Sequence, residues 1–354
     1  MQTRPMISVV VALMFTLAAS LARADADLDD GLSRLAKEVA AFLKKEGGDS
    51  INVGDFIAPP RLQASGGAGL SLQVADAIKK QKIDVKKDSP FQLIGRFTVR
   101  DEKANSKDNF ESVSLRITAT VLDKDDEELG KLNISVFGDS ALQFAGGTTE
   151  FPPDLPPGER EEKKRQAIDE PKATIVGNET RTSETSPFGL EVRARNGLSA
   201  DTTARVPNPD GGREFVKLSK GEEYVVRLHN HASFEAAVTL TIDGLSMFAF
   251  SEEGNFGSQV LVAPGKFVDI PGWFINKEKT DAFEITSYAK SAAASKGIPV
   301  TSIGTITATF HESVDGSGKD PNATGRGRQI DQKYVEVKRV IKNAQAVVSV
   351  RYNR

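Results

Sequence analysis

Three histidines are the residues of this chain whose type and spacing could carry chemistry. His229 and His231 stand two apart at the end of an apolar, β-branched run, and His311 ends a second such run. Alternate residues of a strand face the same way, so a His-x-His pair joined by a distant third imidazole describes a metal site of His229, His231 and His311 with a position left open for water. That is the arrangement of a metal-dependent hydrolase. Such a site also needs carboxylates behind the imidazoles, and spacing alone places none. Strand ends are where turns begin, and His231-Ala232-Ser233 reads as the start of one, so solvent-facing histidines are the competing reading.

The only tryptophan lies in Pro271-Gly272-Trp273-Phe274. Trp273 and Phe274, presented after a Pro-Gly turn, form a candidate ligand-binding surface for sugar or peptide, because exposed rings give large contact area at little entropic cost. The plainer role is a plug in a β core, since tryptophan is highly buried on average. Ser65-Gly66-Gly67-Ala68-Gly69 sits between a strand and a helix, where phosphate-binding loops occur, but no Gly-Lys-Ser/Thr follows and the segment reads as a connection. No Gly-x-Ser-x-Gly elbow exists, and the absence of cysteine removes thiolate catalysis, thiolate metal sites and disulfides. Glu252-Glu253 falls in a turn as solvated charge. A formal net charge of −3 gives no electrostatic case for nucleic-acid binding, and no cofactor is implied.

Around these residues the periodicity changes along the chain. Leu28, Leu32, Leu35, Val39 and Phe42 fall three and four apart, with Asp29 and Asp30 at the front, Lys44 and Lys45 at the back and Gly47 as a stop, which predicts an amphipathic helix. A strand over Ile51 to Ile57 and a helix over Gly69 to Lys80 follow. From Ser89 to Arg100, Ser112 to Leu122 and Leu129 to Val136 the pattern alternates, predicting half-buried antiparallel strands with a hairpin tip at Asp123 to Glu128. Between Phe151 and Pro187 two Pro-Pro pairs, the charged run Glu159 to Arg165 and a Thr/Ser/Glu-rich stretch predict a linker with one short charged helix. Beyond it come short β-branched and aromatic runs separated by Gly, Pro, Asn or Asp, the pattern of a sandwich or barrel. Val314 to Arg328 reads as a long loop before two final strands.

At the front, Arg4, the uncharged apolar run Ile7 to Leu21 and Ala22-Arg23-Ala24 have the three-part layout of a secretory signal cleaved after Ala24. That run is shorter than the roughly 20 residues a spanning helix needs, and no comparable run follows. The expected organisation is therefore a signal peptide (1–24), an α+β domain (25–150), a Pro-rich charged linker (151–187) and an all-β sandwich domain (188–354), with no integral membrane segment after cleavage.

The second half resembles a family of uncharacterised exported bacterial proteins with a C-terminal β-sandwich. The features that carry the likeness are the Ile242-Asp243-Gly244-Leu245-Ser246 turn, the segment Ile270-Pro271-Gly272-Trp273 and the late strand Gly304 to Glu312. It implies a bacterial envelope setting and no catalytic residues, and His229 and His231 are not part of its pattern. The first domain is similar in architecture to the α/β domain of the curli-secretion lipoprotein and the penicillin-binding-protein activator lipoproteins. It shares their N-terminal amphipathic helix, a strand containing Asp55-Phe56 and a helix before a meander, but has no cysteine for a lipid anchor. The expectation is a non-enzymatic binding or scaffolding protein, periplasmic or secreted, with an envelope protein or glycan as partner. The alternatives are a metal-dependent hydrolase built on the histidines, or a structural module of a surface assembly.

Overall fold

Leu32, Leu35, Ala36, Val39 and Leu43 form the buried stripe of helix α1 (Arg23–Lys45), with Lys44 and Lys45 in its last turn. Gly47 ends the helix at φ +74, a left-handed value that suits glycine, and Gly48 donates its N–H back to the Leu43 carbonyl at 2.8 Å. A computed structural model describes residues 23–57, 66–102, 112–139, 142, 146–170, 172–195, 201–210, 213–252, 259–295, 304–315 and 339–352. The signal segment up to 22 and the expected loop beyond 315 lie outside the described residues.

Among the described residues about half lie in strands, helices are few, and the strands lie in several sheets. In the first sheet the order is β2-β1-β3-β4-β5, from β1 (Ser50–Ile57), β2 (Asp84–Val85), β3 (Gln92–Glu102), β4 (Ser112–Leu122) and β5 (Glu128–Phe137). β3, β4 and β5 form the expected antiparallel meander, whereas β1 runs parallel to β3, reached through helix α2 (Gly66–Lys80). Val113, Leu115, Ile117, Ala119 and Val121 are all buried, as their alternation requires. The hairpin tip at 123–127 is organised by the Asp123 carboxylate, which accepts the N–H groups of Asp125 and Glu127.

Residues 151–187 are built into the fold rather than strung between its parts. After β6 (Thr149–Glu150) comes helix α3 (Pro157–Asp169), then a hairpin of β7 (Thr174–Val176) and β8 (Glu179–Arg181). Phe151, Ala167 and Ile168 join the first hydrophobic core, so a few well-placed apolar residues outweigh the polar composition that suggests a linker. The remaining strands are β9 (Phe188–Arg195), β10 (Thr202–Ala204), β11 (Asn208–Asp210), β12 (Arg213–Val216), β13 (Glu223–Asn230), β14 (Ala236–Ile242), β15 (Leu245–Ser246), β16 (Val260–Val262), β17 (Lys266–Ile270), β18 (Gly272–Asn276), β19 (Lys279–Glu284), β20 (Thr305–Asp315) and β21 (Arg339–Tyr352). With β6, β7 and β8 they make two sheets of eight strands, one centred on β13 and β9, the other on β20 and β21. A second core draws on both, and the Phe188 ring of one stacks on Phe310 of the other at 4.9 Å.

β21 is buried on both faces. Ala346, Val348 and Val350 enter the second core while Ala344 and Val347 enter the first, so one strand is a wall shared by two cores. Against its outer side lies a buried ionic network. Arg160 Nη2 donates to Asp139 Oδ2 at 2.7 Å and to the Ala344 carbonyl at 2.9 Å. Lys164, 2 % exposed, places its ammonium 3.2 Å from Asp139 and 2.8 Å from Glu161, whose other oxygen accepts the Val113 N–H. Burial by itself would raise the Asp139 pKa, but the Lys164 and Arg160 charges prevail and hold it below the usual carboxylate value.

A second buried carboxylate pins the ends of the other core. Asp243 follows β14 at φ +54, and its Oδ1 accepts the N–H groups of Gly304 and Thr305 at 2.6 and 3.2 Å. Tyr352 donates its hydroxyl to Oδ2 at 2.5 Å. Burial pushes the Asp243 pKa up to about 6, against the hydrogen bonds that lower it.

The two carboxylates are expected to act oppositely with pH. Asp139, depressed on folding, adds stability above the unfolded carboxylate value of about 3.9 that is lost on acidification, and Asp139→Ala should cost about 3–5 kcal/mol in urea unfolding at pH 7 because buried Lys164 and part-buried Arg160 lose their shared partner. A loss under about 1 kcal/mol would show that the cations are not desolvated. Asp243, raised on folding, favours the fold most below pH of about 4 and less as pH rises through 6. Asp243→Asn keeps the shape and should raise the unfolding midpoint relative to wild type at pH 7.5 but not at pH 4, an effect on the order of 3 kcal/mol.

Candidate functional site

The chemistry-bearing residues collect on the face of the β13–β9 sheet that points away from the second core. In β13, Tyr224, Val226 and Leu228 face the core, which turns Arg227 and His229 outward. In β9, Leu190 and Val192 face inward and Glu191 and Arg193 outward, and cross-strand register sets Arg227 opposite Glu191 and His229 opposite Gly189. On the other side of β13, His229 pairs with Phe267 and Arg227 with Asp269. The hairpin strand β8 adds Glu179 and Arg181, with Arg181 opposite Gly189.

His231 does begin a turn, as its sequence suggests, yet it stays with the sheet. Its N–H donates to the Pro187 carbonyl at 2.7 Å. Asn230, fully buried, holds the turn by donating to the carbonyls of Phe234 and Val262 and accepting the Ala232 N–H. The His229 and His231 rings therefore stack, 5.6 Å apart between centroids.

Glu179 lies between them, its Oε1 3.5 Å from His229 Nδ1 and its Oε2 3.2 Å from His231 Nε2. Ligand atoms of these three side chains lie within 4.8 Å of one another, so among the described residues they are a group able to hold a metal ion together. Behind them, Glu191 Oε2 is 2.8 Å from His229 Nε2, and Arg193 is paired with Glu191 and anchored on Thr202. Burial raises the pKa of both glutamates, but the Arg181 hydrogen bond on Glu179 and the His229 and Arg193 hydrogen bonds on Glu191 lead the contacts that outweigh it and keep both below the ordinary value. Arg181 reaches across, with Nε 2.9 Å from Glu179 Oε2 and Nη2 2.9 Å from His231 Nε2. Beside this cluster, the Arg227 guanidinium grips Asp269 with two hydrogen bonds of 2.6 and 2.8 Å and lies 3.9 Å above the Phe267 ring, which is 52 % exposed.

The three-imidazole arrangement is not formed. His311 belongs to β20 in the other large sheet, buried, with Nδ1 3.0 Å from the Lys342 carbonyl; since Phe310 enters the second core, His311 is turned to the opposite side of its own sheet. The aromatic pair is also split. Phe274 is 0 % exposed within the core, and Trp273 is half-buried, edge-on to Phe283 at 5.1 Å and close to Phe250. Pro271-Gly272 is no free turn: Gly272 opens β18 and its backbone passes so near Asp281 that a Cβ would sit 1.9 Å from the Asp281 carbonyl oxygen.

Glu179, Glu191 and Gly189 were the residues hidden from sequence reasoning. Thr174-Ile175-Val176-Gly177-Asn178-Glu179-Thr180-Arg181 carries a Gly-Asn hairpin signal that could have found the first. No protein-family model, curated protein or solved structure matches this chain.

An ionised Glu191 can only accept, so the proton on neutral His229 must sit on Nε2 and leave Nδ1 with its lone pair. Nitrogen-15 NMR of the imidazoles near pH 8 should therefore show His229 as the Nε2–H tautomer, shifting toward a mixture in Glu191→Ala. An Nδ1–H signal in the wild type would contradict the contact.

Proposed function

We propose that this chain is an exported bacterial envelope protein, periplasmic or secreted, that works by binding a partner rather than by turning over a substrate. The observation that carries it is the open sheet face on which exposed Phe267 is capped by Arg227 and flanked by Asp269 and by His229, on which His231 stacks. Aromatic rings and arginine held rigidly on a flat, water-facing sheet are what protein interfaces use as anchors, whereas small-molecule sites are concave. A protein of the envelope is the partner this shape favours, with a glycan as the other outcome of the test.

The rest of the reading supports that setting. The signal-like N-terminus and the likeness of the Asp243-Gly244 and Gly272-Trp273 segments to an exported family support the location. We read the first sheet with α1 and α2 as an α+β domain and the two large sheets, sharing one core, as a sandwich that displays the face. Among the described residues no helix is long and apolar enough to cross a membrane.

Tagged wild-type protein used as bait on an envelope extract should retain a specific protein that Phe267→Ser and Arg227→Ala each release, with the fold unchanged by circular dichroism. Retention of a defined sugar on a glycan array, lost in the same variants, would assign a glycan instead. No retained partner in either assay, together with turnover of a hydrolase substrate panel, overturns the binding reading.

A further inference from the structure

We infer that Glu179, His229 and His231 form a binding site for a divalent transition cation of the zinc and copper class, with at least one coordination position open to solvent. The site goes beyond the contact face, since it stands on the chemistry of its own ligand atoms.

Hydrogen-bond logic fixes which way each lone pair points. Glu191 takes the Nε2–H of His229, so Nδ1 presents its lone pair toward Glu179. The Arg181 guanidinium has only N–H groups to offer, so at 2.9 Å from His231 Nε2 it makes that nitrogen an acceptor, with the ring proton on Nδ1. Two imidazole lone pairs and one carboxylate thus stand within 4.8 Å of one another. Acceptors brought this close repel unless a cation lies among them, and Arg181 is the cation that now serves Glu179 and His231.

The spacing suits a metal. A tetrahedral zinc ion with bonds of about 2.1 Å holds its ligand atoms about 3.4 Å apart. Glu179 Oε1 lies 3.5 Å from His229 Nδ1 and its Oε2 3.2 Å from His231 Nε2, and one ligand atom from each residue falls within 4.8 Å of the others, so a small side-chain adjustment reaches that spacing. The supporting layer is present too. A carboxylate on the far nitrogen of a ligating histidine fixes its tautomer and raises its basicity, and Glu191 occupies that position with Arg193 behind it.

Gly189 provides the space. A Cβ there would come 2.1 Å from Glu179 Oε2, so the carboxylate sits where any other residue's side chain would begin. Imidazole with carboxylate selects zinc, copper or nickel over magnesium or calcium, which prefer all-oxygen sites. His231, 43 % exposed, leaves the solvent side of the site open. An arriving ion would displace the hydrogen bonds of Arg181, which keeps its contact with the Ser186 carbonyl.

The test is titration of tag-free, chelator-treated protein with zinc chloride, read by calorimetry and by elemental analysis after dialysis. One zinc per chain is expected, undisturbed by excess magnesium. His231→Ala, Glu179→Gln and Gly189→Ala should each weaken binding at least tenfold, and Glu191→Ala by roughly 10–100-fold. Arg181→Gln, which removes the competing guanidinium, should tighten it, and His311→Ala should leave it unchanged. His231 and Glu179 lie at a turn and at a hairpin strand, and circular dichroism confirms that each variant is folded before titration. Zinc retained at full stoichiometry by a folded His229→Ala/His231→Ala double variant, or no stoichiometric zinc in the wild type, overturns the site.

Discussion

The ammonium of Lys164 and the guanidinium of Arg160 share one carboxylate, Asp139, against the strand that closes both cores. Charges taken out of water need partners at hydrogen-bond range, and each group here has them: Asp139 takes two cations, Lys164 takes two carboxylates, and Glu161 also takes a backbone N–H of β4. Arg160 additionally lies 4.0 Å over the Phe151 ring and bonds the Ala344 carbonyl of β21. Helix α3 therefore grips the first sheet and the shared wall at once. The hairpin of β7 and β8, which follows directly, is thereby delivered to the edge of β9, and with it Glu179 reaches His229 and His231.

Gly189 and Glu179 show how little room that delivery leaves. Strand register puts Arg181 opposite Gly189 and His229 opposite the same glycine from the other side. The carboxylate fills the gap between two strands that a side chain would otherwise occupy. Core packing on the inner face, through Phe188, Leu190 and Leu228, fixes the strands that hold the polar residues on the outer face.

Elements governed by local periodicity were legible in the sequence. The stripe of α1, the alternation of β4 and the hairpin tip at Asp123 all follow from residues a few positions apart, as do most strands beyond 188. Phe42 is a small departure: it packs at the margin beside Gly130 while Leu43 takes the fully buried place. What was hidden depends on distant residues. Lys164 and Asp139 read as surface charge until their pairing is known, so the segment that carries α3 looks like a linker. Half of the candidate site was visible as His-x-His, because period two is local. Its carboxylates come from another hairpin and another strand, and His311 was assigned to it only because chain order says nothing about which sheet a strand joins. Trp273 and Phe274 part for a related reason: adjacent strand residues face opposite ways, so Phe274 enters the core while Trp273 stays half-buried.

β21 follows every other described strand in the chain, yet it supplies apolar residues to both cores and pairs with β20, β12 and β6. A slip of register in this one strand would misplace side chains in two interiors together, so a single length of backbone couples their packing.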